Sequence, residues 1–157
     1  MNFDGMTWAM FGAALSTAVC CVASAVGVST AGKAANGVLT EKPKLFPKAM
    51  VLTALTGSNG IYGFLISILV LQRVGILGGE ANPADLTVGV GFAYFIATIP
   101  ITIAGLTSVF QGRVAATAIL LTAKNESQMT KGLIITALIE TYAILSLLVS
   151  VLMIFAI

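Results

Sequence analysis

Residues 129–157 read MTKGLIITALIETYAILSLLVSVLMIFAI, with one carboxylate, Glu140, near the middle of an otherwise apolar run. A spanning helix needs about 20 apolar residues, and this run is longer than that. A charged side chain at the bilayer centre costs roughly 2.5 to 3.5 kcal/mol on insertion scales, so an acid kept there ordinarily serves an ion or proton path. The competing reading is a protonated Glu that only hydrogen-bonds a neighbouring helix.

The rest of the chain has the same character. Of its 157 residues 58% are hydrophobic and 9% charged, and the mean hydropathy is +1.03. That leaves too little polar surface to coat a soluble globule, and the chain reads as an integral membrane protein. Three more runs of spanning length precede the last, at roughly 6–39, 46–71 and 86–123. Strict alternation is absent and the runs are about twice the length of a barrel strand, so helices are expected. Almost nothing remains for a soluble domain, and catalysis that needs an aqueous site is left to partner chains. The first run is N-terminal, and its Ala23-Ser24-Ala25 resembles a signal cleavage site. Its apolar stretch is too long for a signal peptide and Asp4 stands where a cation belongs, so it is expected to stay in the mature chain. Cys20 and Cys21 are adjacent, with no further Cys or His to complete a metal site. They read as small buried residues rather than a disulfide.

The two halves repeat. Gly32-Lys33-Ala34-Ala35 pairs with Gly112-Arg113-Val114-Ala115 at a shift of 80, while Lys48-Ala49-Met50-Val51 pairs with Lys131-Gly132-Leu133-Ile134 at a shift of 83. Thr53-Ala54-Leu55 and Ser67 find Thr136-Ala137-Leu138 and Ser150 at the same 83. The expected fold is an all-α membrane protein, four transmembrane helices in two tandem hairpins, 1–80 and 81–157. The 83 shift sends Glu140 back to Gly57, so at this repeat position only the second hairpin carries a carboxylate. The first and third runs are rich in small residues, which let backbones approach closely in lipid. The second and fourth carry the bulk. A thin inner layer and a bulkier outer one suit a closed homo-oligomeric ring.

Lys42, Lys44 and Lys48 lie between runs one and two, and Lys124 and Lys131 flank the loop between three and four. Asp4, Glu80 and Asp85 face a single Arg73 on the other side. By the positive-inside rule the hairpin loops are cytoplasmic and both termini lie on the outer side.

Depth can be counted from the loop end. Glu140 lies 11 residues beyond Met129, Asn59 lies 11 beyond Lys48 and Gln111 lies 11 before Thr122, which places all three about 16 Å from that end. Ser58 and Tyr62 are one turn apart beside Asn59, with Leu55 one turn earlier on the same side. One carboxylate, two amide oxygens, a hydroxyl and a backbone carbonyl make an oxygen-rich cage suited to a hard cation. The bland alternative is a set of inter-helix hydrogen bonds worth about 0.6 kcal/mol each. Gly27-Val28-Ser29-Thr30-Ala31-Gly32-Lys33-Ala34 nearly spells a phosphate-binding loop, but Ala34 replaces the magnesium-holding hydroxyl and no strand precedes it. It reads as small-residue packing. Lys33 and Arg113 are repeat equivalents that either snorkel to the interface or form a ring of cations holding anionic lipid or facing a central shaft.

At Gly57-Ser58-Asn59-Gly60-Ile61-Tyr62-Gly63-Phe64, Phe110-Gln111-Gly112-Arg113-Val114-Ala115-Ala116 and Ile139-Glu140-Thr141-Tyr142-Ala143-Ile144-Leu145 the chain resembles the proteolipid rotor subunit of V-type ATPases. The resemblance is to the bacterial, sodium-transporting branch, whose ring is called the K or c ring, and it covers essentially the whole length. It implies a plasma-membrane ring of about ten identical four-helix subunits. It further implies a stator subunit supplying an arginine, a central-stalk subunit, and ATP hydrolysis in partner chains. No nucleic acid and no organic cofactor are implied. Carried over by residue, Glu140 is the carboxylate that holds Na+, Gln111 a side-chain ligand, Leu55 a carbonyl donor, and Tyr62 the residue that locks the occupied carboxylate. Ser58 and Asn59 stand where those relatives carry Thr and Gln. Asn59 is one methylene shorter, so a bridging water and a site tuned to H+ both stay open. A stand-alone small ion transporter is the other reading; against it, the halves are expected to lack broken helices. One carboxylate per four helices means fewer ions per revolution and favours pumping over synthesis.

Overall fold

A computed structural model describes residues 4–78 and 86–157. Helix α1 spans Gly5–Glu41 and starts where Asp4 accepts a hydrogen bond from the Thr7 amide at 2.8 Å, satisfying an orphan donor of the first turn. At 37 residues it is about 55 Å long, well beyond the hydrocarbon thickness of about 30 Å. Pro43 then opens a single 3-10 turn, Pro43–Leu45, because it cannot donate into a continuing helix. Next come α2 (Phe46–Leu55) and α3 (Ser58–Arg73), and after the second connection α4 (Val88–Ala104) and α5 (Thr107–Lys124). A 3-10 turn, Glu126–Gln128, leads into α6 (Met129–Ala156). The four membrane-capable segments are α1, α2 with α3, α4 with α5, and α6. They form two tandem hairpins. The boundary expected at 80–81, and Glu80 and Asp85, lie outside the described residues.

One expectation is overturned. The second and third spans are broken, at Thr56-Gly57 and at Gly105-Leu106. At the first break the Thr56 and Gly57 amides donate to Thr53 and Ala54 at 3.2 and 3.0 Å. At the second, the Leu106 and Ser108 amides donate to Ile103 and Gly105 at 3.1 and 3.2 Å. Each break is therefore a short switch from i−4 to i−3 bonding, which tightens the turn and releases carbonyls for side-chain donors. The first and fourth spans run through the same level unbroken.

The first span packs against the second and third, and the fourth packs on the third and second. Close approach explains the small residues. A Cβ at Gly112 would fall on the Gly27 backbone, and one at Gly27 would lie 2.5 Å from the Ser108 carbonyl oxygen. Two apolar clusters result. One joins Ala9, Ala13, Cys20, Ile66, Val70, Ala97, Ile101 and Ile154; the other, toward the hairpin loops, joins Ala31, Ala35, Leu45, Leu52, Ala115 and Ile119. Cys20 is buried but Cys21 is exposed, a departure from the expectation that both are buried; both are free thiols. Their separation follows from the 100° step between helical neighbours, which sends adjacent side chains to different faces. Glycines 27 and 32 and Lys33 lie inside α1, so the phosphate-loop look-alike is continuous helix.

Candidate functional site

A polar level lies between the two apolar clusters. Glu140 sits mid-way along α6 and is 9% exposed. Its Oε1 accepts the Tyr62 hydroxyl of α3 at 2.6 Å. Gln111 of α5 is fully buried, and its amide Nε2 donates to the Thr136 carbonyl at 3.4 Å, one helical turn before Glu140. Asn59, also fully buried, donates from Nδ2 to the Gly105 carbonyl at 3.4 Å and to Thr107 Oγ1 at 3.1 Å. The Ser58 hydroxyl donates to the Leu55 carbonyl at 3.0 Å.

The two breaks hold this level together. Asn59, just past the first, reaches the Gly105 carbonyl at the second, and Ser108, just past the second, donates to the Thr56 carbonyl at the first. Each break thus receives a side-chain donor from the other. The first span backs the arrangement through Ser24, whose hydroxyl accepts from the Gly60 amide at 2.7 Å.

The outcome for the candidates is uneven. Tyr62 and Glu140 meet directly, as do Ser58 and Leu55. Gln111 touches the backbone of the helix that bears Glu140. Asn59 and Gln111 are anchored by their amide nitrogens alone: Asn59 Oδ1 and Gln111 Oε1 are buried without a hydrogen-bond partner. Leaving a buried acceptor unpaired costs about 1 to 3 kcal/mol, so two at one level call for a partner, an ion or a water. Lys33 and Arg113 are exposed, and the Arg113 guanidinium lies 5.9 Å from the Phe110 ring centroid. Among the described residues no three His, Cys, Asp or Glu side chains gather into a metal cluster, so the donor set is one carboxylate with neutral oxygens. Thr56, Thr107, Ser108 and the Thr136 carbonyl were not anticipated. The signal available was a Gly within two residues of a Thr or Ser in the second and third runs, Thr56-Gly57-Ser58 and Gly105-Leu106-Thr107.

The family model described as the ATP synthase C subunit matches residues 11–70 and 88–153, one segment in each hairpin. The chain belongs to the ATP synthase C-subunit family. As a member of it, the chain is a non-catalytic rotor proteolipid of a V/A-type ATPase and an integral membrane protein. It is 37% identical over 151 residues to the V-type sodium ATPase subunit K of Enterococcus hirae, covering 96% of this chain and 92% of that one. It is also 39% identical over 146 residues to the A-type ATP synthase subunit K of Methanocaldococcus jannaschii, covering 92% of this chain and 62% of that one.

Proposed function

We propose that the chain carries Na+ across the membrane as a ring rotates, with Glu140 as the exchanging carboxylate. The observation that carries this reading is the pair of orphaned amide oxygens, Asn59 Oδ1 and Gln111 Oε1, at the level of Glu140. A site built for protons needs one titrating oxygen and gains nothing from two further acceptors. A cation that has shed its water needs them. Charge balance selects the valence: one carboxylate neutralises one monovalent ion, while a divalent ion would leave a positive charge facing lipid. The relative from Enterococcus hirae is named for sodium, which points the same way.

In this mechanism Na+ sits among a Glu140 carboxylate oxygen, Asn59 Oδ1, Gln111 Oε1, the Ser58 hydroxyl oxygen and the Leu55 carbonyl. The Ser58 proton is already directed to Leu55 and turns to whichever oxygen the ion leaves uncoordinated. Tyr62 donates to Glu140 and holds the carboxylate against α3 while the loaded subunit faces lipid. At the stator, an arginine of the partner subunit pairs with Glu140 and releases the ion. Rings of about ten copies, cytoplasmic hairpin loops and a bacterial plasma-membrane location complete the proposal, with hydrolysis in the soluble partners driving rotation through a central-stalk subunit. Repeat unit 1–80 brings Leu55, Ser58, Asn59 and Tyr62 to the site without an ion carboxylate of its own, and repeat unit 81–157 brings Glu140 and Gln111.

The test is carbodiimide labelling of Glu140 in purified rings at fixed neutral pH. Na+ is expected to protect the carboxyl in a saturable way and K+ far less. Labelling that responds to pH and ignores Na+ assigns the site to protons instead.

A further inference from the structure

We infer that Thr107 is a positioning residue for cation selectivity, acting by fixing which end of the Asn59 amide faces the ion. The inference rests on the sodium reading above and adds to it a residue outside the ligand set.

An asparagine amide can present either its oxygen or its NH2 to a given neighbour, and only the oxygen binds a cation. What decides the matter is the hydrogen-bonding capacity of the groups around it. Thr107 Oγ1 lies 3.1 Å from Asn59 Nδ2, and the Thr107 hydroxyl proton is committed to the Ala104 carbonyl at 2.7 Å. Toward Asn59 it therefore offers lone pairs alone. The second neighbour, the Gly105 carbonyl at 3.4 Å, is an acceptor by nature. Both neighbours demand NH2, and a flipped amide would set its oxygen against two acceptors while stranding its two donors in the cage. The orphaned Oδ1 is the other end of the same planar group and is held toward the cage by this arrangement. The Gly105 bond is long, so Thr107 is the stronger of the two anchors.

The break in the third span makes this possible. Thr107 is the first residue of α5, and its hydroxyl reaches back three residues to Ala104 at the end of α4. This local use of a Thr hydroxyl is favoured at helix starts, and it sets the lone pairs toward the second span. Asn59 is shorter than glutamine, and a short amide with few rotatable bonds is easier to hold by one external contact. Thr107 is half-buried, so isosteric replacement leaves the packing intact.

Thr107→Val keeps the shape and removes the acceptor; Thr107→Ser restores it. In the Na+ protection assay on purified rings, Thr107→Val is expected to raise the half-protecting Na+ concentration about tenfold, the worth of one hydrogen bond to a buried amide. Thr107→Ser is expected to fall within about twofold of the parent, within the usual scatter between independent sites. The pH dependence of labelling without Na+ should be unmoved in all three, since proton uptake at Glu140 makes no use of Asn59. In an Asn59→Ala background Thr107→Val should add nothing. An unshifted half-protecting concentration in Thr107→Val, a shift equally large in Thr107→Ser, or a full shift persisting without Asn59 overturns the inference. Should Thr107→Val fail to yield rings, Thr107→Ala is measured against the same outcomes. If the parent ring shows no Na+ protection, the sodium reading falls first, which separates the two failures.

Discussion

The two hairpins are copies that solved different problems. At the repeat offset of 83, Gly57 of the first hairpin stands where the second has Glu140. Gly57 lies in a break, with tight i−3 bonding around it, whereas Glu140 lies in unbroken helix. The third span is interrupted while its repeat mate, the first, runs straight. The interruptions are therefore not inherited symmetrically: they fall in the two spans that supply the neutral oxygens, and the carboxylate comes from a span that stays rigid. The duplication left a common scaffold, and one helix of each hairpin is loosened where the two breaks meet at the level of Glu140.

That contrast can be broken at its strongest point first. Glu140→Gln keeps the size and the Tyr62 contact but removes the charge; rings of normal size are expected, with ion transport and carbodiimide labelling at this position both lost. Retained transport would remove Glu140 from the mechanism. The next largest effect compares two glycines. A Cβ at Gly112 would collide with the Gly27 backbone, while one at Gly57 meets its nearest neighbours, the Ala54 carbonyl oxygen and Val28 Cγ2, at 3.4 Å. Gly112→Ala is expected to cost about 1 to 3 kcal/mol through overpacking and to lower the yield of intact rings, whereas Gly57→Ala, whose φ of −93° suits any residue, should assemble normally. Ring yield on a native gel reads both.

Much of this was legible in the residues. Four apolar runs of spanning length, one acid in the last, and the offsets of 80 and 83 led to two hairpins and to Glu140, and the depth count put Asn59 and Gln111 at the same level. The breaks were not legible. Thr56-Gly57 and Gly105-Leu106 are embedded in apolar stretches, and a change of one residue in hydrogen-bond spacing leaves no mark on hydrophobic periodicity. Gly105 reads as another small packing residue, and a Cβ there would indeed meet Cys20. Thr107 escaped for a related reason: its role depends on where the Ala104 carbonyl points, which only the broken helix determines. Cys21 was misplaced because adjacency in sequence was read as shared burial.

The smallest expected effect concerns the joint between the hairpins at their loop end. Lys48 pairs with Glu126 at 2.5 Å, and this partner holds the Glu126 carboxyl below its usual range. A carboxyl whose pKa is depressed on folding stabilises the fold above its ordinary range and loses that contribution as pH falls through the depressed value. The pair is exposed and screened by salt, so Glu126→Gln should barely change thermal stability at neutral pH, and the parent's slight advantage should vanish on acidification or at high salt. An advantage that survives both would mean the contact is not electrostatic.

The same joint has a mechanical meaning. Lys42 donates across to the Ala123 carbonyl at 2.6 Å, so two lysines from the first loop grip the second hairpin. A rotor is loaded in shear, pushed at one height and resisted at another. Each loop contact is weak, so the two lysines set the register of one hairpin against the other, while the packed faces of the helices carry the load between them.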